Sequence, residues 1–527
     1  MRLANKNKWP FIALFLLLFV SYSYVNAGWG YNQYSRLDLL HSLVIDGTFN
    51  IDAHHGNTGD ASFFNGHYYS DKAPGIAFLA LPAFLVSTAV LKVAGIPLES
   101  DRAWGISHWI TSAGSVGLLT ALGGVAMLSL LSQFIGRRYA LIATLATFLG
   151  SLPFPYATML FSHGAVIGLL SIALWAVYRS ECQCLSQWNI SYFFQIWNPL
   201  LLVCLFGCLT VLGVLLLLGG GNAAMLMALF SFMLFLQIFA GLLLQHRRKR
   251  HSKNDITCTL TQDLIAGLCC GLAVASEYTA LIAALGIFIL LLSKGYRRAV
   301  FFSVMALFPL LLVPLYSWFC FGSFLTIGYG HVVGWEGMRQ GIFGITFIAH
   351  PGIARILLFS PERGLFFWTP FFLLSFFGIR SFFKKQPLFF GVTWAVIILQ
   401  IFAISGYAYW DGGTAIGPRH LAAMIPFMAL AAGFGLSVFP ITGTLLALIS
   451  ILLMSFATLI NALPSSVSDL IGGYYVPAIL KGSTASNIGK VLGLSSTQSI
   501  LLYAIFIMGM LFAMRGAFRR RIPHANN

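Results

Sequence analysis

Long apolar stretches are the feature that most limits how this chain can fold. Crossing the hydrocarbon core of a bilayer takes about 20 mostly apolar residues, and such stretches recur along almost the whole sequence. Only 9% of the residues are charged, against about 25% in soluble domains. The sequence therefore predicts an all-α, polytopic transmembrane helical bundle of about 12 to 14 spans. We expect residues 1–527 to form a single membrane domain.

The predicted spans begin close to the N-terminus, where residues 9–25 follow a short basic segment. We expect this first stretch to be retained as a span rather than removed as a signal peptide. The other predicted spans cover residues 75–95, 106–134, 139–155, 160–178, two stretches within 200–245, 264–292, 299–320, 364–379, 387–405, 420–438, 441–461 and 498–514. No internal repeat accompanies them.

One of these stretches does not fit a single crossing. Residues 264–292 have basic clusters on both sides, and one crossing would leave a basic cluster on the wrong side of the membrane. Two half-helices that meet at Ser276, Glu277 and Tyr278 would place both ends on one side. Such a break is tolerated where it lines a polar cavity.

The net charge of +16 is distributed in short basic clusters at the ends of apolar stretches. That is the pattern of cytoplasmic loops, and it argues against a nucleic-acid-binding surface. Residues 28–72, the longest polar stretch, are rich in aspartate and follow a basic N-terminus, so we predict that they form a large extracytoplasmic loop. Counting back from the basic C-terminus places residues 321–360, 406–419 and 462–497 on the same side.

The end of this first loop carries a possible lipid-phosphate contact. Residues 69–75 read Tyr-Ser-Asp-Lys-Ala-Pro-Gly directly before a predicted span. Pro74 and Gly75 favour a turn there, which would hold Asp71 and Lys72 at the level of the lipid headgroups. Lys72 could then pair with a phosphate, or could simply position the end of the helix by snorkelling.

Other polar residues interrupt apolar stretches or begin spans. Glu277 would lie at mid-bilayer depth, where ionisable residues mark functional cavities, although a protonated glutamate could serve only as a hydrogen-bond donor between helices. His163 begins a span and is compatible with a structural or a catalytic role. Arg419 also begins a span, and its guanidinium could hold a phosphate through two parallel hydrogen bonds.

Two loop segments complete the set. Residues 407–413 contain Trp410 and Asp411 between an aromatic run and two glycines, which permit close backbone approach to a ligand. Residues 360–364 contain the pair Glu362 and Arg363, which could line the same cavity or form only a surface salt bridge.

No cofactor is expected from the sequence. It contains no phosphate-binding glycine loop, no dinucleotide fingerprint and no standard zinc spacing. His54 and His55, with the aspartates near them, could bind a divalent ion, but their spacing matches no established site. A divalent metal is therefore possible but not indicated.

The order of these motifs resembles a known family. One span, a large acidic outer loop and residues 69–75 are followed by residues 275–278, 360–365 and 410–419. This arrangement resembles the membrane glycosyltransferases of the GT-C fold, and more narrowly the protein-mannosyltransferase and aminoarabinose-transferase-like group. Bacterial members of that group modify lipopolysaccharide or other envelope glycans.

The resemblance implies an inverting sugar transfer from a polyprenyl-phosphate donor to a glycan, lipid or protein acceptor, at the outer face of a bacterial inner membrane. The family usually carries an Asp-Glu pair near the positions of Asn32 and Gln33, so the base here must be another loop carboxylate. The predicted bases are Asp60, Asp71 and, behind them, Asp38; Lys72 and Arg419 would bind the donor phosphate; Glu277, Tyr278, Trp410, Asp411, Glu362, Arg363 and His163 would line the substrate cavity.

Three other interpretations remain open. A polymerase or ligase of lipid-linked oligosaccharides uses similar donors, although its large outer loop usually comes late in the chain. A transporter or flippase would also carry charges within spans, but usually with internal repeats. A non-catalytic scaffold would fit the absence of the Asp-Glu pair. The sequence names neither the sugar nor the acceptor.

Overall fold

The computed structural model describes residues 9–179, 254–346, 348–464 and 469–518. Within these ranges seven helices are long and apolar enough to cross a membrane: Gly75–Val93, Asp101–Phe134, Tyr296–Phe321, Pro387–Ser405, Arg419–Val438, Pro440–Ile460 and Ser496–Met514. Five shorter apolar helices accompany them. The predicted all-α, multi-pass membrane bundle is confirmed. The two spans predicted within residues 200–245 lie outside the described residues, and the total count stays a prediction.

The helices of the first described range are α1 (Trp9–Tyr24), α2 (Tyr31–His41), α3 (Gly75–Val93), α4 (Asp101–Ser112), α5 (Leu118–Phe134), α6 (Arg137–Phe148), α7 (Pro153–Ala157) and α8 (Ser162–Arg179). The later helices are α9 (Asn254–Ser276), α10 (Leu281–Leu292), α11 (Tyr296–Leu310), α12 (Leu312–Phe321), α13 (Pro351–Phe359), α14 (Leu365–Trp368), α15 (Leu374–Phe377), α16 (Ile379–Lys385), α17 (Pro387–Ser405), α18 (Ile425–Val438), α19 (Pro440–Ile460), α20 (Val476–Leu480), α21 (Ile488–Val491) and α22 (Ser496–Phe518). Single turns of 3-10 or π-helix cover Ser42–Asp46, His55–Asn57, Ala113–Gly117, Tyr278–Ala280, Gly328–His331, Glu336–Arg339, Pro370–Leu373, Arg419–Met424 and Leu470–Tyr475.

Small residues let the central helices approach closely. An ideal β-carbon built on Gly123 of α5 would lie 2.3 Å from the Cα of Gly168 in α8. Membrane helices rely on such small-residue contacts because lipid tails give no hydrophobic drive for association. The α5–α8 pair forms part of one large apolar core, to which α1, α6, α9, α18 and α19 also contribute.

A helical hairpin forms at residues 264–292, the stretch that did not fit a single crossing. Helix α9 ends at Ser276, Glu277 is extended with φ −154° and ψ 109°, and α10 begins at Leu281. Asp263, in the first half of α9, pairs with Arg298 near the start of α11 at 2.6 Å, so the chain has turned back along α9 by the end of α10. The predicted break at residues 276–278 is confirmed.

Contacts with α8 place Glu277 at one end of α10. Its carboxylate accepts a hydrogen bond from Ser162 at the start of α8, while Lys294, just after α10, donates to the carbonyl of Val177 near the end of α8. Because α10 runs beside α8 between these two contacts, Glu277 lies at the loop end of the hairpin. Its depth in a membrane stays a prediction.

Backbone hydrogen bonds join the polar loops that were predicted to share a side. Val333 in the 321–360 loop donates to Ala61 in the first loop, and Ala408 donates to Gly344. Two-residue strands β1 (Val25–Asn26) and β4 (Ser486–Asn487) pair in antiparallel fashion. The four loops therefore lie together, while the side of the membrane they face stays a prediction.

Two local expectations need correction. The predicted span 364–379 is a succession of short helices, because Pro370 lacks the N–H that a continuous helix needs. The sequence Arg-Leu-Asp-Leu-Leu-His-Ser-Leu at residues 36–43 predicts an amphipathic helix lying on the membrane. These residues do fall in α2 and its π-helical continuation, but α2 is buried over most of its surface. Its Leu37 and Leu40 pack in a core shared with the loop and α3.

Candidate functional site

A short hairpin in the first loop places two aspartates beside one lysine. Strands β2 (Ala61–Phe64) and β3 (His67–Ser70) are joined by Asn65 and Gly66, both with positive φ (50° and 87°), as two-residue hairpin turns require. Ala61 pairs with Ser70, so Asp60 and Asp71 continue the ladder on opposite strands. Both carboxylates reach Lys72: the Oδ2 atoms of Asp60 and Asp71 lie 2.9 and 3.0 Å from its Nζ.

This lysine cluster, defined as Asp60, Asp71 and Lys72, is almost closed to solvent. The side chain of Asp71 is fully buried and that of Lys72 is only 8% exposed. Among the described residues, Oδ1 of Asp71 has no hydrogen-bond partner. A buried acceptor without a donor is unfavourable, so this oxygen indicates a position where a hydroxyl or water belongs.

Burial and charge act against each other in the lysine cluster. Burial raises the pKa of Asp71, although the neighbouring Lys72 pulls it back. Burial lowers the pKa of Lys72, but Asp60 and Asp71 outweigh it, so that the pKa of the lysine is raised. Lys72 therefore stays cationic, while Asp71 is a carboxylate of increased basicity.

A second group forms at the break between α9 and α10. Glu277 accepts a hydrogen bond from the hydroxyl of Ser162 at 2.8 Å and one from Thr279 at 3.4 Å. Its Oε2 lies 3.6 Å from Nδ1 of His163. Gly75 connects this group to the lysine cluster, since the first turn of α3 packs directly on the α9 backbone just before Glu277.

Arg36 is a site residue that the sequence analysis missed. It is only 2% exposed and lies within electrostatic reach of Asp60, Asp71 and Glu277. Its guanidinium donates to the backbone carbonyl and the side-chain oxygen of Asn32, and its Nε is buried without a partner in the described part of the chain. A usable signal was present, because Arg36 and Lys72 are the only lysine or arginine residues in the acidic 28–72 loop.

Arg419 brings a third cation towards the same place. Its guanidinium carbon lies 5.1 Å from the ring centroid of Phe161, and its Nε is buried with no partner among residues the structure describes. The charges of Arg36, Lys72 and Arg419 all reach the imidazole of His163. The charges of three cations therefore act on one imidazole, which lies 3.6 Å from Glu277.

Aromatic residues and a covering loop form the wall beside these charges. The ring of Tyr278 lies 5.8 Å from that of Tyr329 and 5.0 Å from that of Phe343. Gly328 sits against Asp71, since a β-carbon there would lie 3.0 Å from the Asp71 Cα. Ser62 also donates to the carbonyl of Gly328. The 321–360 loop therefore covers the lysine cluster.

Three of the other predicted cavity residues lie in, or contact, the loop around residues 407–420. Arg363 is buried and donates to the backbone carbonyls of Gly413 and Ala415, and no ion pair with Glu362 occurs within the described ranges. Asp411 accepts from the N–H of Gly413 at 3.3 Å and so stabilises a turn. Trp410 packs against the apolar core. The structure gives Arg363 and Asp411 positioning roles.

Glu362 and Asp38 lie apart from this constellation. Glu362 is partly exposed and forms no hydrogen bond or ion pair with another described residue. Asp38 is buried, accepts a hydrogen bond from Asn57 at 3.1 Å, and forms no ion pair with Lys72. Burial raises the pKa of Asp38 to about 8, although the Asn57 hydrogen bond opposes this. A carboxyl protonated at neutral pH is a poor base, so the prediction that includes Asp38 is not supported by its surroundings.

Asn32 and Gln33 both have local hydrogen-bond partners. Asn32 accepts from Arg36, and the side chain of Gln33 bonds to the carbonyl of Gly28 and to His108. His108 lies 2.7 Å from the Gln33 oxygen. These polar groups are therefore occupied in a hydrogen-bond network rather than available as a base.

Chemically, the site combines three cations with three carboxylates in a largely buried setting. Unpartnered guanidinium N–H groups on Arg36 and Arg419 favour an anion, and Lys72 supplies a third positive charge. The carboxylates of Asp71 and Glu277 can accept protons from hydroxyl groups. The metal-ligand candidates His54 and His55 do not belong to this site. In the described part of the chain His54 bonds to Asp46 and His55 to the carbonyl of Asp52, and neither bonds to the lysine cluster.

Comparisons with known proteins add little to this picture. No family model matches the chain, and no curated protein matches it. Among solved structures, the chain is similar to the archaeal oligosaccharyltransferase AglB from Archaeoglobus fulgidus, solved in complex with an inhibitory peptide and a dolichol-phosphate. The TM-score is 0.35 at 12% identity, over 97% of this chain and 56% of that one, so the chain spans little more than half of that enzyme's length. A likeness this distant identifies no activity.

Proposed function

We propose that the chain is an inverting membrane glycosyltransferase of the GT-C type that takes a sugar from a polyprenyl-phosphate donor. The acceptor is a hydroxyl of an envelope glycan, lipid or protein on the extracytoplasmic side of a bacterial inner membrane. The proposed step uses no cofactor, and the sequence does not indicate a divalent metal. The proposal rests on the chain's own site and on the motif resemblance described above.

One observation carries the proposal: buried, unpartnered guanidinium nitrogens of Arg36 and Arg419 flank the same region as Lys72. A buried donor without an acceptor costs about 1–3 kcal/mol, and a ligand that accepts from these nitrogens would offset that cost. The ligand must be anionic. Lys72 precedes the first turn of α3, a membrane-spanning helix, which suits a phosphate attached to a lipid lying in the bilayer.

In the proposed step, Asp71 accepts the proton of the acceptor hydroxyl through Oδ1, the oxygen without a partner. The hydroxyl oxygen forms a bond to the anomeric carbon as the bond from that carbon to the phosphate oxygen breaks. Lys72, Arg36 and Arg419 stabilise the charge that develops on the departing polyprenyl phosphate. Attack opposite the leaving group inverts the anomeric carbon.

The test is transfer by the purified, full-length protein in proteoliposomes, supplied with a panel of radiolabelled polyprenyl-phosphate monosaccharides and envelope-glycan acceptors. We expect labelled sugar to move to an acceptor with the wild-type protein. We expect Lys72→Ala to lower kcat/KM by about 100-fold or more, because a cation next to the leaving group is lost. Lys481→Ala is the matched control, since Lys481 is exposed and lies in another loop.

Two results would reject the proposal. If no donor in the panel is consumed but the intact lipid-linked sugar crosses the bilayer, the chain is a flippase. If repeated units are joined to one another from lipid-linked oligosaccharides, it is a polymerase. Equal transfer by the Lys72→Ala and Lys481→Ala proteins would remove the site assignment.

A further inference from the structure

A second cluster of ligating side chains lies on the opposite flank of α2. His41 ends this helix, Asp46 ends the π-helical turn that continues it, and His54 precedes the next short helix. Glu99 approaches from the segment between α3 and α4. One ligand atom each from His41, His54 and Glu99 lies within 4.8 Å of the others, and no other such trio occurs in the part of the chain that the structure describes.

The distances within this cluster are compatible with a shared metal ion, and only the shorter of them is also a hydrogen bond. Nε2 of His41 is 3.6 Å from Oε1 of Glu99, and Nε2 of His54 is 3.2 Å from Oδ2 of Asp46. The first distance is too long for a hydrogen bond. Two donors bound to one tetrahedral zinc ion at about 2.0–2.1 Å lie roughly 3.3–3.4 Å apart, and the two observed distances bracket that value.

His41 presents its Nε2 atom to the cluster. The residue is only 4% exposed, and Nε2 is the ring nitrogen that lies 3.6 Å from Oε1 of Glu99. A buried imidazole whose free ring nitrogen faces a carboxylate and a second histidine can bind a transition metal.

The surrounding aromatic side chain holds both rings in place. His41 stacks on Trp104 of α4, with centroids 4.8 Å apart and planes 7° apart. His54 lies 5.3 Å from the same indole and 4.4 Å from the His41 ring. A site whose ligands are oriented by packing binds a metal with little reorganisation. Glu99 and Asp46 are partly exposed, which leaves a path for the ion.

We propose that His41, His54, Glu99 and Asp46 form a binding site for one divalent transition-metal ion of the zinc type. Imidazole ligands favour such ions over magnesium or calcium. The site is separate from the lysine cluster: His41 follows Arg36 by five positions on α2, which places the two about 140° apart around the helix. Bound metal would tie the first loop to the α3–α4 connection. The proposal does not depend on the transferase activity.

The test is equilibrium dialysis of the chelator-treated, full-length protein against zinc, with bound metal measured by elemental analysis. We expect one equivalent per chain for the wild-type protein. Glu99→Gln and His54→Ala should each lower the zinc affinity at least as much as loss of an outer-shell partner does, about 10- to 100-fold. His55→Ala is the matched control, because His55 is adjacent but stacks on Tyr68 instead.

Cobalt and thermal unfolding give two further readouts. Bound Co²⁺ should show the intense visible absorption of a tetrahedral site in the wild-type and His55→Ala proteins, and lose it in His54→Ala. Zinc should raise the unfolding temperature of the wild-type and His55→Ala proteins, but not that of His54→Ala. Glu99 is two-thirds exposed, so Glu99→Gln folds without difficulty. Wild-type protein without zinc, or equal zinc affinity in Glu99→Gln, would overturn the proposal.

Discussion

Gly75 lies against the peptide unit that joins Ala275 to Ser276, so close that an ideal β-carbon would stand 2.5 Å from the Ala275 carbonyl carbon. This contact joins the end of the first loop to the α9–α10 break. It is the reason that Lys72, three residues before Gly75, and Glu277, two residues after Ala275, belong to one site.

The first prediction follows from that contact. Gly75→Ala should separate α3 from α9 and destabilise the protein by about 1–3 kcal/mol. It should also lower kcat/KM for transfer by more than the loss of folded protein accounts for. The measurements are thermal unfolding and kcat/KM in proteoliposomes. Gly391→Ala, within α17 where a β-carbon meets nothing, is the control and should be neutral. Wild-type transfer by Gly75→Ala would contradict the close-packing argument.

The second prediction concerns Glu277. Glu277→Gln keeps the shape and can still accept from Ser162, but it loses the charge that faces His163 and Arg36. We expect kcat to fall by about 10- to 100-fold, within the range for charged groups in a desolvated site, with a folded protein. Glu336→Gln, on an exposed turn of the covering loop, should behave as wild type. Equal kcat values for the two variants would exclude Glu277 from the site.

The third prediction separates positioning from chemistry. Arg363 holds the carbonyls of Gly413 and Ala415, and lysine cannot reproduce two divergent N–H groups. Arg363→Lys should increase amide hydrogen exchange in residues 408–418 and raise KM more than it lowers kcat. Arg355→Lys, at an exposed position of α13, is the comparison. A fall in kcat with unchanged exchange would instead indicate contact with the reacting groups.

The fourth prediction is a pH dependence of transfer. Burial raises the pKa of Asp71 to about 6, and the charge of Asp60 contributes to the increase. A base must be deprotonated, so transfer should decline as the pH falls through about 6. Asp60→Asn removes a neighbouring negative charge, so the acidic limb should move to lower pH. A limb that stays in place or moves upward would argue against Asp71 as the base.

The fifth prediction concerns stability. The pKa of Asp38 is raised to about 8 by burial, above its ordinary value of about 3.9. The folded protein thus binds more protons than the unfolded chain between these values, and its stability should fall as the pH rises through this range. Asp38→Asn mimics the protonated acid and should flatten the dependence of the unfolding temperature on pH. A steeper dependence in Asp38→Asn would show that Asp38 is charged in the fold.

Local sequence signals predicted the parts of the site that depend on local structure. Pro74 and Gly75 do begin α3, and the chain does break at Glu277, because turn chemistry and charge placement act over a few residues. The Asn65–Gly66 turn was an unused signal of the same kind. Its two-residue loop sets the hairpin register, which alone would have placed Asp60 opposite Asp71.

The sequence by itself determined that this protein is a multi-pass helical membrane protein, and that Lys72 stands where the first loop meets a span. Those properties follow from apolar length and neighbouring residues. Only the tertiary structure decided that Arg36 lies within electrostatic reach of Asp60 and Asp71, that Asp38 pairs with Asn57 instead, and that Arg363 holds the carbonyls of Gly413 and Ala415. Such outcomes depend on which separate segments pack together, and contacts between segments tens of residues apart leave no periodic trace in the chain.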